Sequence, residues 1–211
     1  MLDQAELRRR VGAFYKSHEG LRSSGKTSAQ YEELIFPNDR PAWRKRAADD
    51  MFSCALRFLA CCRLLGVSHA VLAEPYERRV GRAVADAEAV ARAFGAIVEG
   101  EALASFEPAP GDALLAGAGN AVHLSCVVDE LTETSEGEAY RRLECVDGGQ
   151  GRRGNMAIER NLYVLERGPG GKVSLRSVEP PRHSYARPGP PKPLRWCVDL
   201  WALTLNAGLM K

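Results

Sequence analysis

The chain has 211 residues, 45% of them hydrophobic and 27% charged, enough for one compact domain that folds without disulfide staples. Its 29 basic and 27 acidic residues leave a net charge of +2, which argues against a nucleic-acid partner, and no run of 18 apolar residues offers a membrane span. The opening Met-Leu-Asp-Gln-Ala-Glu-Leu-Arg-Arg-Arg lacks an apolar signal core, so the expected product is cytoplasmic as synthesised.

In chain order, Leu2, Leu7, Val11 and Phe14/Tyr15 recur at helical spacing and predict a first helix. The polar stretch from His18 to Asp39 reads as loop, with a short helix around Tyr31 to Ile35. Pro37, Asn38, Asp39 and Pro41 punctuate it. Met51 to Leu65 is a long apolar run rich in Ala, Leu and Cys, which predicts a buried helix with Ser53 as N-cap and Gly66 as its stop. Val80, Val84, Ala87, Ala91 and Phe94 give the stripe of another helix over Arg78 to Phe94. After Pro108-Ala109-Pro110-Gly111 the pattern turns to short β runs: Ala113–Ala116, Val122–Val128, Tyr140–Val146, Leu162–Leu165 and Val173–Val178. The proline-rich stretch from Pro180 to Pro193 predicts a stiff connector, and Trp196 to Leu205 an apolar closing segment. Helices followed by antiparallel strands define an α+β fold over 1–211, with 1–40 as a helical extension and 180–194 as the connector.

None of the six cysteines forms a C-x-x-C pair, so they are expected as reduced thiols. Cys61, Cys62, Cys126 and Cys145 lie inside apolar elements and read as core. Cys54 differs, because it falls in the first turn of its helix, where unsatisfied N–H groups and the positive end of the dipole favour a thiolate. A cysteine nucleophile needs a base, usually histidine, held by a third polar group. His123 opens the strand Ala121 to Val128, whereas His18, His69 and His183 sit in loops. Reflecting position 123 through a hairpin turn near Ser135 lands close to 147, which nominates Asp147 as the third group, with Gln150 as its substitute. Asp147 adjoins Gly148-Gly149 and is expected in a part-exposed turn.

Three segments carry a family resemblance. Ser53-Cys54-Ala55-Leu56-Arg57-Phe58-Leu59, running on to Gly66, resembles the nucleophile helix of NlpC-like and CHAP-type cysteine peptidases and amidases. Pro110-Gly111-Asp112-Ala113-Leu114-Leu115 is similar to their Pro-Gly-Asp entry into the first core strand, and Val122-His123-Leu124-Ser125-Cys126-Val127-Val128 to their histidine strand. The resemblance implies a papain-like fold, with N-terminal helices packed on an antiparallel β-sheet. It implies a cofactor-free thiol hydrolase that cleaves an amide bond, most often in bacterial cell-wall peptide, with Cys54 as nucleophile and His123 as base; the third group varies within the family, and Asp147 or Gln150 comes from the hairpin reflection alone. A wall-cutting enzyme without a signal peptide would need a signal-independent export route. The family places Ser-Gly after its cysteine where this chain has Ala55-Leu56, which keeps a second reading open: an inactive scaffold serving as a binding or assembly protein.

Overall fold

A computed structural model describes residues 3–50, 54–119, 121–135, 138–152, 155–179 and 190–209. Helix α1 (Gln4–Ser17) begins at Asp3, whose carboxylate accepts the Glu6 N–H at 2.8 Å, and buries Leu7, Val11 and Tyr15 at the expected spacing. Helix α2 (Ser28–Ile35) contains the short helix expected at Tyr31. Helix α3 (Pro41–Asp50) occupies a stretch whose first residue reads in the sequence as punctuation. Its proline takes the first helical position, where a missing N–H is no loss. Helix α4 (Cys54–Leu64) is buried from Cys54 through Cys62, and Gly66 follows it at φ 80°. The expected N-cap, Ser53, lies outside the described residues. After α5 (Ala70–Ala73), helix α6 (Ala83–Ala93) starts five residues later than predicted, because Gly81 at φ 83° breaks the chain direction.

The strands are β1 (Ile97–Glu99), β2 (Ala113–Ala118), β3 (Ala121–Ser135), β4 (Glu138–Arg152), β5 (Asn155–Arg167), β6 (Val173–Glu179) and β7 (Lys192–Val198), followed by helix α7 (Leu200–Asn206). All pairs are antiparallel, in the order β1-β7-β2-β3-β4-β5-β6. β6 also pairs with β7, through Ser174↔Pro193 and Leu175↔Lys192. That last pairing joins the sheet's edges, so β2 to β7 form a closed six-stranded barrel with β1 outside it.

The barrel corrects the expected papain-like fold of helices packed on a sheet. The physical reason lies in strand length and two-sided burial. β3, β4 and β5 run 15, 15 and 13 residues, and their ladders carry register shifts that add coil. Along β3, Leu124, Cys126 and Val128 join the helices in one core, while Val127 faces another core with Leu114, Leu143, Cys145, Leu165 and Leu175 inside the barrel. A sheet with one covered face would alternate apolar and polar; these runs do not.

Within the expected extension 1–40, of which residues 3–40 are described, Leu7, Val11, Tyr15, Tyr31, Ile35 and Phe36 are buried in the outer core. Of the predicted connector, residues 180–189 lie outside the described residues, and Lys192 and Pro193 already belong to β7. The closing segment divides at Asp199, whose carboxylate accepts the N–H groups of Trp201 and Ala202 and starts α7.

Candidate active site

Cys54, His123 and Asp147 come from α4, β3 and β4, and meet where the barrel wall opens. The β3–β4 ladder runs from Ser135↔Glu138 to Cys126↔Val146. Among the described residues it goes no further, although β3 continues along β2 and β4 along β5. Alternation from Val127 places Ser125 and His123 on the inner face of β3, and alternation from Cys145 places Asp147 on the inner face of β4. The start of α4 covers the gap from outside. The thiol of Cys54 meets the His123 ring there and is reached by the backbone N–H groups of Leu124 and Ala55.

His123 turns Nε2 toward Asp147 Oδ2 at 3.2 Å, which leaves Nδ1 as the ring nitrogen for the thiol. Asp147 is fully buried. Its Oδ2 also accepts the Asn161 amide and the Tyr163 hydroxyl, each at 2.6 Å, and Ser125 lies against the same carboxylate. Fixed at one end by Asp147, the ring has its tautomer and orientation set for the other end.

The electrostatics favour a charge-separated pair. Burial opposes ionisation of Cys54, but hydrogen bonding and charge from His123, then the Leu124 and Ala55 N–H groups, bring the thiol below its ordinary range. Burial likewise opposes a charged His123, yet Asp147 and then Cys54 push its pKa up to about 10. Asp147 is itself held below the ordinary carboxylate range: burial acts against this, and His123, Tyr163 and Ser125 outweigh it. All six cysteines are described, and Cys54 alone shifts downward. Burial raises Cys61, Cys62, Cys126, Cys145 and Cys197.

Asp147 thus stands beside His123, as the hairpin reflection predicts, but its setting differs from the expected part-exposed turn. Asp147 is interior strand, and the glycines after it mark a register shift between Asp147↔Glu159 and Gln150↔Ala157. Glycine relieves crowding at a bulge as readily as in a turn. Gln150 lies on β4 beyond that shift; its side chain is outside the described residues. The other histidines are engaged elsewhere or undescribed. His18 bonds the Phe14 carbonyl through Nδ1 at 2.6 Å, His69 caps α5 by accepting the Val71 N–H, and His183 is outside the described residues.

Asp112, part of the Pro-Gly-Asp resemblance, is structural. It accepts from Arg8 at 2.8 Å, the Ala109 N–H at 2.9 Å and the Leu200 N–H at 3.0 Å, tying α1 and α7 to the start of β2. Asn161, Tyr163 and Ser125 escape a reading of the sequence. Asn161 and Tyr163 stand two apart on β5, opposite Cys145 and Leu143, so their place beside Asp147 depends on a register that β5 alone does not reveal. No protein-family model, curated protein or solved structure matches this chain.

Proposed function

We propose that the protein is a cysteine hydrolase that cleaves an amide bond. The observation that carries this is the convergence of Cys54, His123 and Asp147 from three elements, with the thiol at a helix start and the acid on the far side of the imidazole. The cysteine, Pro-Gly-Asp and histidine segments together favour a peptide substrate of the cell-wall type.

In this reading Cys54 and His123 rest as thiolate and imidazolium. The thiolate attacks the amide carbonyl, and the oxyanion meets backbone N–H groups in the first turn of α4. His123 gives its Nδ1 proton to the leaving nitrogen as the C–N bond breaks, releasing an amine and leaving a thioester on Cys54. It then takes a proton from water, whose oxygen attacks the thioester. The carboxylic acid departs and the thiol pair is restored. Asp147 keeps Nε2–H engaged throughout, so the ring presents Nδ1 in both half-reactions. Cys54 is only 8% exposed, so a narrow, extended segment reaches it more readily than a folded surface.

The test has two parts. Limiting iodoacetamide at neutral pH, followed by peptide mass mapping, should label Cys54 ahead of the other five cysteines. Purified bacterial peptidoglycan should then gain new amino groups with the parent protein and none with Cys54→Ala, which removes the nucleophile and little volume. Uniformly inert thiols would refute the hydrolase and favour the binding scaffold. Selective labelling without peptidoglycan cleavage would discard that substrate class while keeping the nucleophile.

A further inference from the structure

Arg57 sits one helical turn after Cys54 and is fully buried. Its position is unfavourable on two counts. Burying a guanidinium costs several kcal/mol unless it is well paired, and a cation near the N-terminus of a helix opposes the dipole. Among the described residues, no carboxylate lies within ion-pair distance of it, and its Nε is buried without a hydrogen-bond partner. Its two terminal nitrogens donate to backbone carbonyls: Nη1 to Val146 at 2.8 Å and Nη2 to Tyr15 at 2.9 Å. The guanidinium also lies over the Tyr15 ring, 5.1 Å from its centroid.

These partners connect Arg57 to the site. Val146 immediately precedes Asp147, on the last described β3–β4 pair before the wall opens. Tyr15 is in the last turn of α1, whose carbonyls form the negative end of that helix. One side chain therefore joins the nucleophile helix to the strand that carries the acid, and brings a positive charge to act on Asp147 from the helical turn that follows Cys54.

We propose that Arg57 is a positioning residue for the Cys54–His123–Asp147 set, holding α4 to β4 at Val146 and favouring the thiolate by its charge. This rests on the hydrolase reading above. Among the described residues, the titratable groups that face Arg57 and Cys54 are His123, Asp147, Tyr15, Cys126, Cys61 and His18. Of these, only His123 and Asp147 carry charge into the reaction. The competing account makes Arg57 a plain cap on the end of α1, which would affect stability and leave the thiol alone.

The experiment reads the rate of Cys54 alkylation by iodoacetamide against pH, in the parent and in Arg57→Gln and Arg57→Lys, with near-ultraviolet circular dichroism as the check on folding. Gln keeps a donor for Val146 and removes the charge; Lys keeps the charge and reaches one carbonyl. Arg57→Gln is expected to move the acidic limb upward by about one pH unit, a tenfold slower reaction below it, with the high-pH plateau unchanged. Arg57→Lys should leave the limb within about 0.3 units. A folded Arg57→Gln whose limb matches the parent overturns the proposal, as does an Arg57→Lys shift as large as that of Gln. If Arg57→Gln does not fold, Arg57→Met, which keeps most of the side-chain length and removes the charge, is read against the same expected shift. A parent protein without selective Cys54 labelling would refute the hydrolase itself, an outcome distinct from any difference between variants.

Discussion

Asp147 carries its charge where water does not reach, with His123, Asn161 and Tyr163 all donating to one oxygen. An asparagine could turn its carbonyl oxygen to those same donors, so Asp147→Asn removes charge more than contact. Its effect should therefore appear in the titration of His123. Without the carboxylate, the pKa of about 10 should fall toward the ordinary 6.5, because burial then acts with less opposition. The stability consequence has a definite sign. A base whose folded pKa is raised contributes stability that is fully present below its unfolded value and is lost as pH rises through the folded one. The parent should thus lose this contribution between about 6.5 and about 10, and Asp147→Asn should lack most of that slope. Nuclear magnetic resonance titration of the His123 Cε1 proton, with urea unfolding across the same range, checks both. A His123 that still titrates near 10 in the variant would show that Asp147 is not what holds the imidazole charged.

Among the elements, the junction of β2 and α7 shows how closely the helices seat the site's strands. Gly111 has φ 97°, a conformation that suits glycine, and a Cβ there would lie 2.3 Å from Leu200 Cδ2 and 3.3 Å from Val11 Cγ1. Beside it, Asp112 accepts the Leu200 N–H and pairs with Arg8. Gly111→Ala should cost about 2 kcal/mol through strain and overlap, lowering the melting temperature by roughly 5 °C while Cys54 labelling persists in the folded fraction. An unchanged melting curve would mean that α7 shifts freely. Much at this scale is legible in the sequence. The α4 run from Cys54, the Gly66 stop and the β3–β4 hairpin all follow from local periodicity and turn chemistry. Helix α3 is hidden because Pro41 serves equally as loop punctuation and as a helix start. The full reach of β5 is hidden because Glu159, Arg160 and Asn161 interrupt its apolar residues; Glu159 and Asn161 are buried nonetheless.

At the scale of the whole molecule, closure depends on pairings far apart in sequence. Nothing local in β6 or β7 announces that they meet, and a proline-rich segment lies between them. Among the described residues their ladder consists of Ser174↔Pro193 and Leu175↔Lys192, and Pro193 brings no N–H to it. The β3–β4 and β4–β5 ladders are far longer. Native-state hydrogen exchange should accordingly find whichever of the Ser174 and Leu175 amides faces β7 opening well before those at Leu143 and Cys145, as a local rather than global event. Equal protection at both places would show that the seam opens only with the whole barrel.

The two hydrophobic cores divide the candidate site between them. Cys54 belongs to the helical layer and Asp147 to the barrel's interior, with His123 reaching from one to the other through the gap in the wall. Substitutions in the two layers can therefore be selected almost independently: Leu143, Cys145 or Leu165 can vary to adjust how the acid is held, while Leu56, Phe58 or Leu59 vary to adjust how the thiol is presented. In the proposed hydrolase, a chain partitioned in this way would change its preference among substrates along one axis and the strength of its base along another, with few combinations in which one gain undoes the other.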